Sequence, residues 1–454
     1  MSIEKNQIYE VDILDNGFSG EGIAKINNFT IFIPQAIKGE KVKIVVVKVL
    51  SSFGYGKILE ILKCSPNRVE SDCATYKRCG GCSLRHIKYD ETLKIKQNAV
   101  QSLINKTLKN KIKAEETLGM ENPYFYRNKA QYPVGIGKDG KPVMGVFANR
   151  THEIVPIEKC MIQNQQNEKV AKFILDYITK NNISIYNENT RKGLVRHIVT
   201  KIGVKTGQIM CIIVINGYEI PNEASLTKAI LAKFPEVKSI VKNINIQNTN
   251  VILGKQNVNL YGNGYIEDKL GGYTFRISPL SFYQVNPVQA ERLYQIGMEA
   301  ANITKDDIVF DLYCGIGTIS LFMSKYAQKV YGIEIVKEAV EAAKTNAKIN
   351  NVENAEFLCG DVENVLQDLL YSKKVMPDII MVDPPRKGLD KNTIQNILKV
   401  RPKKLVYISC NPATLVRDLS ALEEVYEMKK IKPVDMFPFT SHVECVALME
   451  LKNC

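Results

Sequence analysis

Near its C-terminal end the chain passes from a run of β-formers through a single cysteine into a helical pattern. Residues 405–409 are Leu-Val-Tyr-Ile-Ser, Cys410 follows, Asn411-Pro412 stops the strand, and helical periodicity resumes over residues 413–418. The pattern predicts a strand, a tight turn and a helix, with Cys410 at the carboxyl end of the strand. Open α/β sheets bind ligands at that edge, so Cys410 is a candidate site residue.

Two more predicted strands end in residues that suit a ligand site. Residues 378–382 lead into Asp383, and residues 307–312 lead into a turn that contains Gly315. A carboxylate, Glu444, stands before the last apolar run of the chain. Because the carboxyl ends of parallel strands meet at one edge of a sheet, the three strand ends at Cys410, Asp383 and the Gly315 turn are expected to converge on one crevice.

The turn after the first of these strands has the glycines Gly315 and Gly317 but lacks the third glycine of a dinucleotide-binding fingerprint. Glu334 ends the next predicted strand, 23 residues after Asp311, and an acid at about that distance hydrogen-bonds ribose hydroxyls. These features favour S-adenosylmethionine over NAD, because S-adenosylmethionine has no pyrophosphate to bind. Asp361 ends a third predicted strand, near the expected adenine. Alternatively, Asp311 is a turn-forming acid and Asp361 a surface loop residue.

Length and charge bound the remaining possibilities. A chain of 454 residues is expected to form about three domains. Its formal net charge of +13 favours a polyanionic partner, and nucleic acid is a better fit than a merely basic soluble protein. No run approaches the roughly 20 apolar residues of a membrane helix, so we expect a cytoplasmic monomer with no membrane partner. Cytosolic thiols stay reduced, so clustered members of the eleven cysteines point to metal binding or catalysis.

Residues 1–62 are predicted to form a small OB-like β-barrel. Alternating apolar residues, broken by Gly, Asn and Pro, predict five strands, at 8–14, 22–26, 30–34, 41–50 and 57–62. The segments 20–25, 32–34 and 39–42 resemble a TRAM domain, which is an RNA-binding barrel. The alternative is a barrel that has no partner.

Residues 63–270 are predicted to form a β-rich central domain that contains a cysteine cluster. Cys73, Cys79 and Cys82 have the spacing C-x5-C-x2-C in a Gly-rich loop, whereas structural zinc usually draws two C-x2-C pairs or a Cys/His mixture. A fourth ligand must therefore come from a distant position, and Cys160 is the best candidate. Zinc and buried free thiols are the alternatives. Cys64 lies outside the spacing and is expected to be structural.

Taken in order, these segments resemble the RNA uracil-C5 methyltransferases, the class of RlmD, RlmC and TrmA, over essentially the whole chain. The resemblance implies a Rossmann-like class I methyltransferase domain at residues 271–454, with helix 91–108 docked on it. It assigns the nucleophile to Cys410 and the base to Glu444. It also implies a [4Fe-4S] cluster on the four cysteines. The expected S-adenosylmethionine-binding residues are Gln284, Tyr313, Gly315, Thr318, Glu334, Asp361 and Asp383.

Within this family the barrel and the four cysteines together point to the 23S rRNA branch, because the transfer-RNA branch typically lacks both. Arg127, Lys129, Arg196 and His197 are candidate RNA contacts, with internally paired charge as the alternative. A transfer-RNA uracil methyltransferase remains the nearest alternative. A radical methylthiotransferase would instead have C-x3-C-x2-C with an open iron. A non-catalytic RNA-binding protein would not need both the cysteine and the carboxylate.

The expected chemistry requires a cysteine. Uracil C5 is a poor nucleophile, and addition of a thiolate at C6 makes C5 able to attack a sulfonium methyl group. A base must then remove the C5 proton so that the thiolate can leave, and Glu444 is the candidate. The alternatives are a small buried hydrophobe for Cys410 and a surface acid for Glu444. Cys314 and Cys445 are expected to be structural.

Overall fold

The computed structural model describes residues 3–148 and 151–452. Its first sheet has six strands in the order β1-β5-β6-β4-β3-β2. The two edge strands are consecutive in the chain, and Leu14 N–H donates to Ile23 O at 2.8 Å, so the sheet closes into a barrel around Ile31, Ile33 and Val42. The strands are β1 (Ile8–Asp12), β2 (Asp15–Asn16), β3 (Gly22–Ile26), β4 (Phe29–Ile33), β5 (Lys41–Val49) and β6 (Phe53–Lys63).

Helix α1 (Tyr89–Thr107) follows a loop that contains three of the clustered cysteines. Its buried residues are spaced three or four apart, as expected for a helix with one apolar face. Two of them, Val100 and Ile104, belong to the hydrophobic core of the C-terminal domain. The helix therefore packs on a part of the chain that lies more than 200 residues away in sequence.

The central domain is built on a seven-stranded sheet in the order β13-β12-β11-β10-β7-β8-β9, antiparallel except for the β11/β12 pair. Helix α2 packs on one face, where Val170, Ala171 and Ile174 are fully buried. The elements are β7 (Lys129–Ile136), β8 (Pro142–Phe147), β9 (Ile154–Pro156), α2 (Gln165–Lys180), β10 (Val195–Ile202), β11 (Ile209–Ile215), α3 (Glu223–Lys233), β12 (Val237–Ile244) and β13 (Gln256–Tyr261).

A hairpin and a helix lead into the C-terminal domain. The hairpin is formed by β14 (Ile266–Leu270) and β15 (Tyr273–Ile277). Helix α4 (Pro287–Ala301) begins where the Asn286 side chain accepts a hydrogen bond from Gln289 N–H, and its proline fits the first turn. One face of α4, including Tyr294, is buried against the C-terminal sheet.

The C-terminal sheet has seven strands in the order β18-β17-β16-β19-β20-β22-β21, and only β22 runs antiparallel to the others. Helices cover both faces, so parallel strands such as β19 and β20 are buried throughout. The strand order reverses between β16 and β19, where sheets of this kind bind ligands. The elements are β16 (Ile308–Leu312), α5 (Thr318–Ser324), β17 (Lys329–Glu334), α6 (Lys337–Ile349), β18 (Ala355–Cys359), α7 (Val362–Gln367), a π-helical turn (Asp368–Ser372), β19 (Ile379–Val382), α8 (Lys391–Val400), β20 (Lys404–Ser409), α9 (Pro412–Leu422), β21 (Tyr426–Val434) and β22 (Glu444–Leu451).

The predicted α/β fold with an N-terminal barrel is confirmed. Within residues 3–148 and 151–452, no helix is long and apolar enough to cross a membrane.

Candidate active site

Cys410 occupies a fixed turn between β20 and α9. The Asn411 side chain accepts a hydrogen bond from Ala413 N–H at 3.2 Å, and its amide donates to Arg386 O at 3.0 Å. The Ser409 hydroxyl accepts from Asn411 N–H at 3.1 Å. These bonds hold both sides of the cysteine. Cys410 is half-buried, unlike Cys445, which is fully packed in the core.

Glu444 faces Cys410 across the β20/β22 ladder. Ser409 pairs with Cys445 in that antiparallel ladder, so the next position in the register sets Cys410 opposite Glu444. Glu444 is 3% exposed, so it is a buried carboxylate and not a surface acid. Burial, followed by the nearby Asp383, raises the pKa of Glu444 well above its usual value near 4.5, while Arg386 opposes the rise.

Asp383 and Arg386 complete the surroundings of the thiol. Asp383 follows β19, the strand beside β20, and burial raises its pKa. Burial, then the carboxylates of Glu444 and Asp383, raise the pKa of the Cys410 thiol to about 11, and Arg386 partly offsets this. The ligand-free site thus disfavours the thiolate and would favour a bound cation. The sequence analysis assigned no role to Arg386, although it directly follows Asp383-Pro384-Pro385.

The glycine turn after β16 leaves open space at the same sheet edge. Gly315 has φ +54°, and a Cβ built on it meets no atom within 4 Å. The Glu334 carboxylate accepts hydrogen bonds from Gly315 N–H at 3.1 Å and Val336 N–H at 2.9 Å. Tyr313, beside the turn, also has a positive φ of 70°, a conformation that is costly for an aromatic residue and that marks functional sites. These residues fit a ligand that carries ribose hydroxyls.

Tyr294 on α4 joins the glycine turn to the two carboxylates. The side chains of Gln284 and Thr318 lie beside its hydroxyl, and burial, then Asp383 and Glu444, raise its pKa. Gln284 is itself 8% exposed, and its backbone carbonyl accepts a hydrogen bond from the Asn128 side chain at 3.0 Å. Helical periodicity predicts only that position 294 is buried, so no role for Tyr294 was predicted from the sequence.

Asp311 and Asp361 differ in their surroundings. Asp311 is fully buried, accepts the Ser320 hydroxyl at 2.5 Å, and leaves its second carboxylate oxygen without a partner among the described residues. Burial raises its pKa to about 7. Asp361 is exposed and accepts a hydrogen bond from Glu363 N–H at 3.0 Å, which caps α7. Asp361 lies close enough to Tyr313 to affect the pKa of that hydroxyl, so both belong to the same sheet edge.

The fold brings together the four cysteines that the sequence analysis grouped. All four are free and partly buried. Burial raises the pKa of the Cys82 thiol, and the neighbouring Cys160 and Cys79 add to this. The pKa of Cys160 is raised by burial and also by Cys79 and Cys73. Within the described ranges, no three Cys, His, Asp or Glu side chains are close enough together to hold a single metal ion.

Arg85 supplies a test of whether a larger group fits among these thiols. Its side chain is buried, lies beside Cys82, and pairs with Asp72 at 2.5 Å. Its Nε and Nη2 atoms have no hydrogen-bond partner in the described part of the chain. Buried donors are normally satisfied, so an acceptor that several thiolates hold beside Arg85 would complete its hydrogen bonds. A sulfide-containing cluster has that property.

The predicted RNA contacts of the central sheet are only partly available. Arg196 is 3% exposed and donates to Asn245 O at 2.8 Å and Gln247 O at 2.9 Å, and His197 is 5% exposed. For Arg196 the structure thus shows the alternative of internally paired charge, and His197 is buried beside it. Both residues line a cleft of about 870 Å³ that contains none of the predicted catalytic residues. Arg127 and Lys129 are partly exposed.

Comparisons with known proteins agree with this arrangement. Residues 4–59 match the TRAM domain, and residues 238–452 match the family described as tRNA (Uracil-5-)-methyltransferase. An uncharacterized RNA methyltransferase of Clostridium acetobutylicum is 46% identical over 99% of this chain and 98% of its own length. Another uncharacterized RNA methyltransferase, of Halalkalibacterium halodurans, is 44% identical over 99% of this chain and 98% of its own length. The crystal structure of Pyrococcus abyssi tRNA (uracil-54, C5)-methyltransferase in complex with S-adenosyl-L-homocysteine superimposes with a TM-score of 0.78 and 25% identity, over 97% of this chain and 100% of that one.

Proposed function

Because the chain belongs to the S-adenosylmethionine-dependent RNA uracil-5-methyltransferases, we propose that it methylates C5 of a uridine in 23S rRNA through a covalent bond from Cys410 to C6. The register that sets Cys410 opposite a buried Glu444, at the edge that also holds Gly315, carries this proposal. A nucleophile and a base on facing strands can reach neighbouring carbons of one pyrimidine ring.

The reaction assigns one task to each side chain. The Cys410 thiolate adds to C6, and the charge that develops at C5 and O4 makes C5 the nucleophile. S-adenosylmethionine supplies an electrophilic methyl group on its sulfonium. After C5 has gained the methyl group, Glu444 takes the C5 proton, the electrons of the C5–H bond form the C5=C6 double bond, and the C6–S bond breaks, so that the thiolate leaves with the electron pair of the C6–S bond. The raised pKa of Glu444 suits a group that must hold this proton at neutral pH.

The cofactor is assigned to the glycine turn and its neighbours. Glu334 would bind the ribose hydroxyls, and the open space at Gly315 would admit the ligand. Gln284, Tyr313 and Thr318 would line the same space. Asp361 would lie near the adenine, and Asp383 would contact the uracil edge or orient the cofactor.

Two variants test the chemistry. We expect Cys410→Ala to abolish methylation and adduct formation, whereas Glu444→Gln should accumulate a covalent protein–RNA adduct that survives denaturation. Cys64→Ala is the matched control, because Cys64 is exposed and lies outside the catalytic domain. Methylation by Cys410→Ala would remove the nucleophile assignment, and normal turnover by Glu444→Gln would remove the base.

The four cysteines Cys73, Cys79, Cys82 and Cys160 are proposed to hold a [4Fe-4S] cluster. Their mutual proximity and the two unpaired donors of Arg85 support this. Because all four positions would be protein thiolates, the cluster would position the surrounding loop and the RNA rather than perform radical chemistry. Anaerobically purified protein should contain iron and labile sulfide, Cys160→Ala should lose both, and Cys64→Ala should keep them. Iron-free protein that folds and methylates RNA normally would contradict the role.

The choice of RNA rests on a direct comparison. The Pyrococcus abyssi tRNA (uracil-54, C5)-methyltransferase aligns with 97% of this chain and so shares most of the barrel region. The barrel alone therefore does not separate the two substrates, and the four cysteines carry the preference for 23S rRNA. Incubation with unmodified 23S rRNA and tRNA and labelled S-adenosylmethionine, followed by mapping of the methylated nucleoside, decides between them. The protein is proposed to act as a monomer on this RNA in the cytoplasm.

A further inference from the structure

The segment that leads into Glu444 is held in an unfavourable conformation. This strap, residues 435–443, joins β21 to β22 and ends at the proposed base. Its Phe439 has φ +65°, in the left-handed region that side chains with a Cβ avoid. Such a conformation persists only where surrounding contacts enforce it. The contacts of Phe439 therefore show what sets the path of the strap.

The loop of clustered cysteines holds the backbone of this turn, while the rings of Tyr89 and Tyr124 also pack against the Phe439 ring, at centroid distances of 5.7 and 5.4 Å. Ser83 N–H and Leu84 N–H both donate to Phe439 O, at 3.0 and 2.9 Å. The Arg85 guanidinium lies 4.0 Å from the centroid of the Phe439 ring. Residues 82–85 thus contact both the backbone carbonyl and the ring of Phe439; these contacts are called the grip on the strap below. Cys82, a proposed cluster ligand, directly precedes this grip and lies beside Arg85.

The beginning of the strap is anchored separately by helices α1 and α4, and from α4 the side chains of Asn286 and Gln289 donate to Met436 O at 3.0 Å and Asp435 O at 3.1 Å. Lys96 donates to the Asp435 carboxylate at 2.5 Å and to Phe437 O at 3.2 Å, and the Tyr89 hydroxyl donates to Asp435 at 2.8 Å. From Asp435 to Glu444, the turn at Phe439 is thus the part that depends on the cysteine loop. Beyond Glu444, pairing with β20 and β21 fixes β22 along its whole length.

We propose that Arg85 is a positioning residue for proton removal: by holding the Phe439 turn, it sets where Glu444 enters the sheet opposite Cys410. This inference rests on the proposed function and extends it, because it links the four cysteines to the base rather than to the nucleophile. Cys410 is held by Ser409, Asn411 and Arg386, none of which belongs to the strap. Loss of the grip therefore slows release of the methylated product and leaves adduct formation and methyl transfer nearly unchanged.

The test compares two arginines of the same loop. Arg85→Met removes the charge and the planar stacking group but keeps an unbranched side chain of similar length. Arg78→Met is the matched control, because Arg78 is exposed, pairs with Glu153 at the surface and does not contact the strap. Each variant is followed in a single turnover, with methyl transfer measured from labelled S-adenosylmethionine and the covalent adduct measured on denaturing gels. Iron content and thermal unfolding are recorded for both.

For Arg85→Met we expect adduct release to slow about tenfold, since a desolvated cation–π contact is of that order, while methyl transfer changes less than about twofold. Arg85→Lys should restore part of the release rate, and Arg78→Met should match the wild type. An unchanged release rate, or an equal loss in transfer and release at normal iron content, overturns the proposal.

If Arg85→Met does not fold, Phe439→Leu replaces it, because leucine keeps apolar bulk in the turn but offers no aromatic face. Phe173→Leu is then the control, because Phe173 is also a packed aromatic residue but belongs to helix α2 and not to the strap. A wild-type protein that forms no methylated uridine refutes the proposed function itself, which is a separate outcome.

Discussion

In the ligand-free protein the Cys410 thiol is a weak acid, and this determines how its reactivity changes with pH. Burial and the carboxylates of Glu444 and Asp383 raise its pKa from 9.0 to about 11. At pH 7.5 such a thiol is ionised in roughly one molecule in 3,000, about a hundredfold less than an ordinary cysteine. Because the thiolate is the reactive form, alkylation of Cys410 should be slowed by about that factor and should rise about tenfold for each added pH unit.

Removing the carboxylate charges beside Cys410 should shift the pH dependence of its alkylation, and one carboxylate should have a larger effect than the other. Glu444 is the largest electrostatic cause of the raised pKa and Asp383 the next. Glu444→Gln should therefore move the midpoint of alkylation to lower pH, and Asp383→Asn should move it less. A positive charge within about 4–6 Å lowers a thiol pKa by about 1–3 units. S-adenosylmethionine should thus accelerate alkylation at pH 7.5, whereas S-adenosylhomocysteine, which lacks the sulfonium charge, should not.

The assay is alkylation by iodoacetamide between pH 6.5 and 11.5, followed by mass spectrometry of the peptide that contains Cys410. The exposed cysteines Cys64 and Cys359 are replaced by alanine so that they do not consume the reagent. A midpoint at or below 9.0 in the ligand-free protein would refute the reasoning, since it would mean that the carboxylates do not act on the thiol. The same conclusion would follow if Glu444→Gln left the midpoint unchanged.

Three further predictions concern the packing around the site. Lys96→Met leaves the fully buried Asp435 carboxylate without its cation, so the free energy of unfolding should fall by about 3–5 kcal/mol and the melting temperature by roughly 6–20 °C. Adding Asp435→Asn should recover most of the lost stability. A loss below about 1 kcal/mol in Lys96→Met would contradict the prediction. Glu334→Gln should raise the KM for S-adenosylmethionine at least about tenfold with little change in stability, because the amide offers one acceptor oxygen where the carboxylate offers two. The control is Glu338→Gln, at an exposed position, which should leave that KM unchanged. Tyr294→Phe removes the hydroxyl beside Gln284 and Thr318 and should lower kcat/KM about threefold to tenfold, and activity equal to that of the wild type would remove its role at the site.

The residues that could be predicted are those whose surroundings are local in sequence. The turn at Cys410 follows from five β-formers, a stop at Asn411-Pro412 and a helix, all within 14 residues. The glycine turn and Glu334 follow from the same kind of pattern. The facing of Cys410 and Glu444 was not predictable, because it depends on β22 running antiparallel beside β20, and pairing partners are set by long-range packing. The sequence left an RNA contact and internal pairing both open for Arg196, because its internal partners are carbonyl oxygens, which every residue has and no sequence pattern marks.

The same distinction explains why the C-terminal part of the chain is not self-contained. Glu444 is placed by a strap whose anchors include Lys96 and the loop of residues 82–85, and both of these lie more than 300 residues earlier. Val100 and Ile104 of α1 also complete the apolar core under α9. Without that helix, Asp435 would keep a buried charge with no cation, and an apolar surface would face water, both of which are costly. The early part of the chain therefore does more than form the barrel and the central sheet: it completes the core of the methyltransferase domain and helps to fix the path of the segment that leads into Glu444.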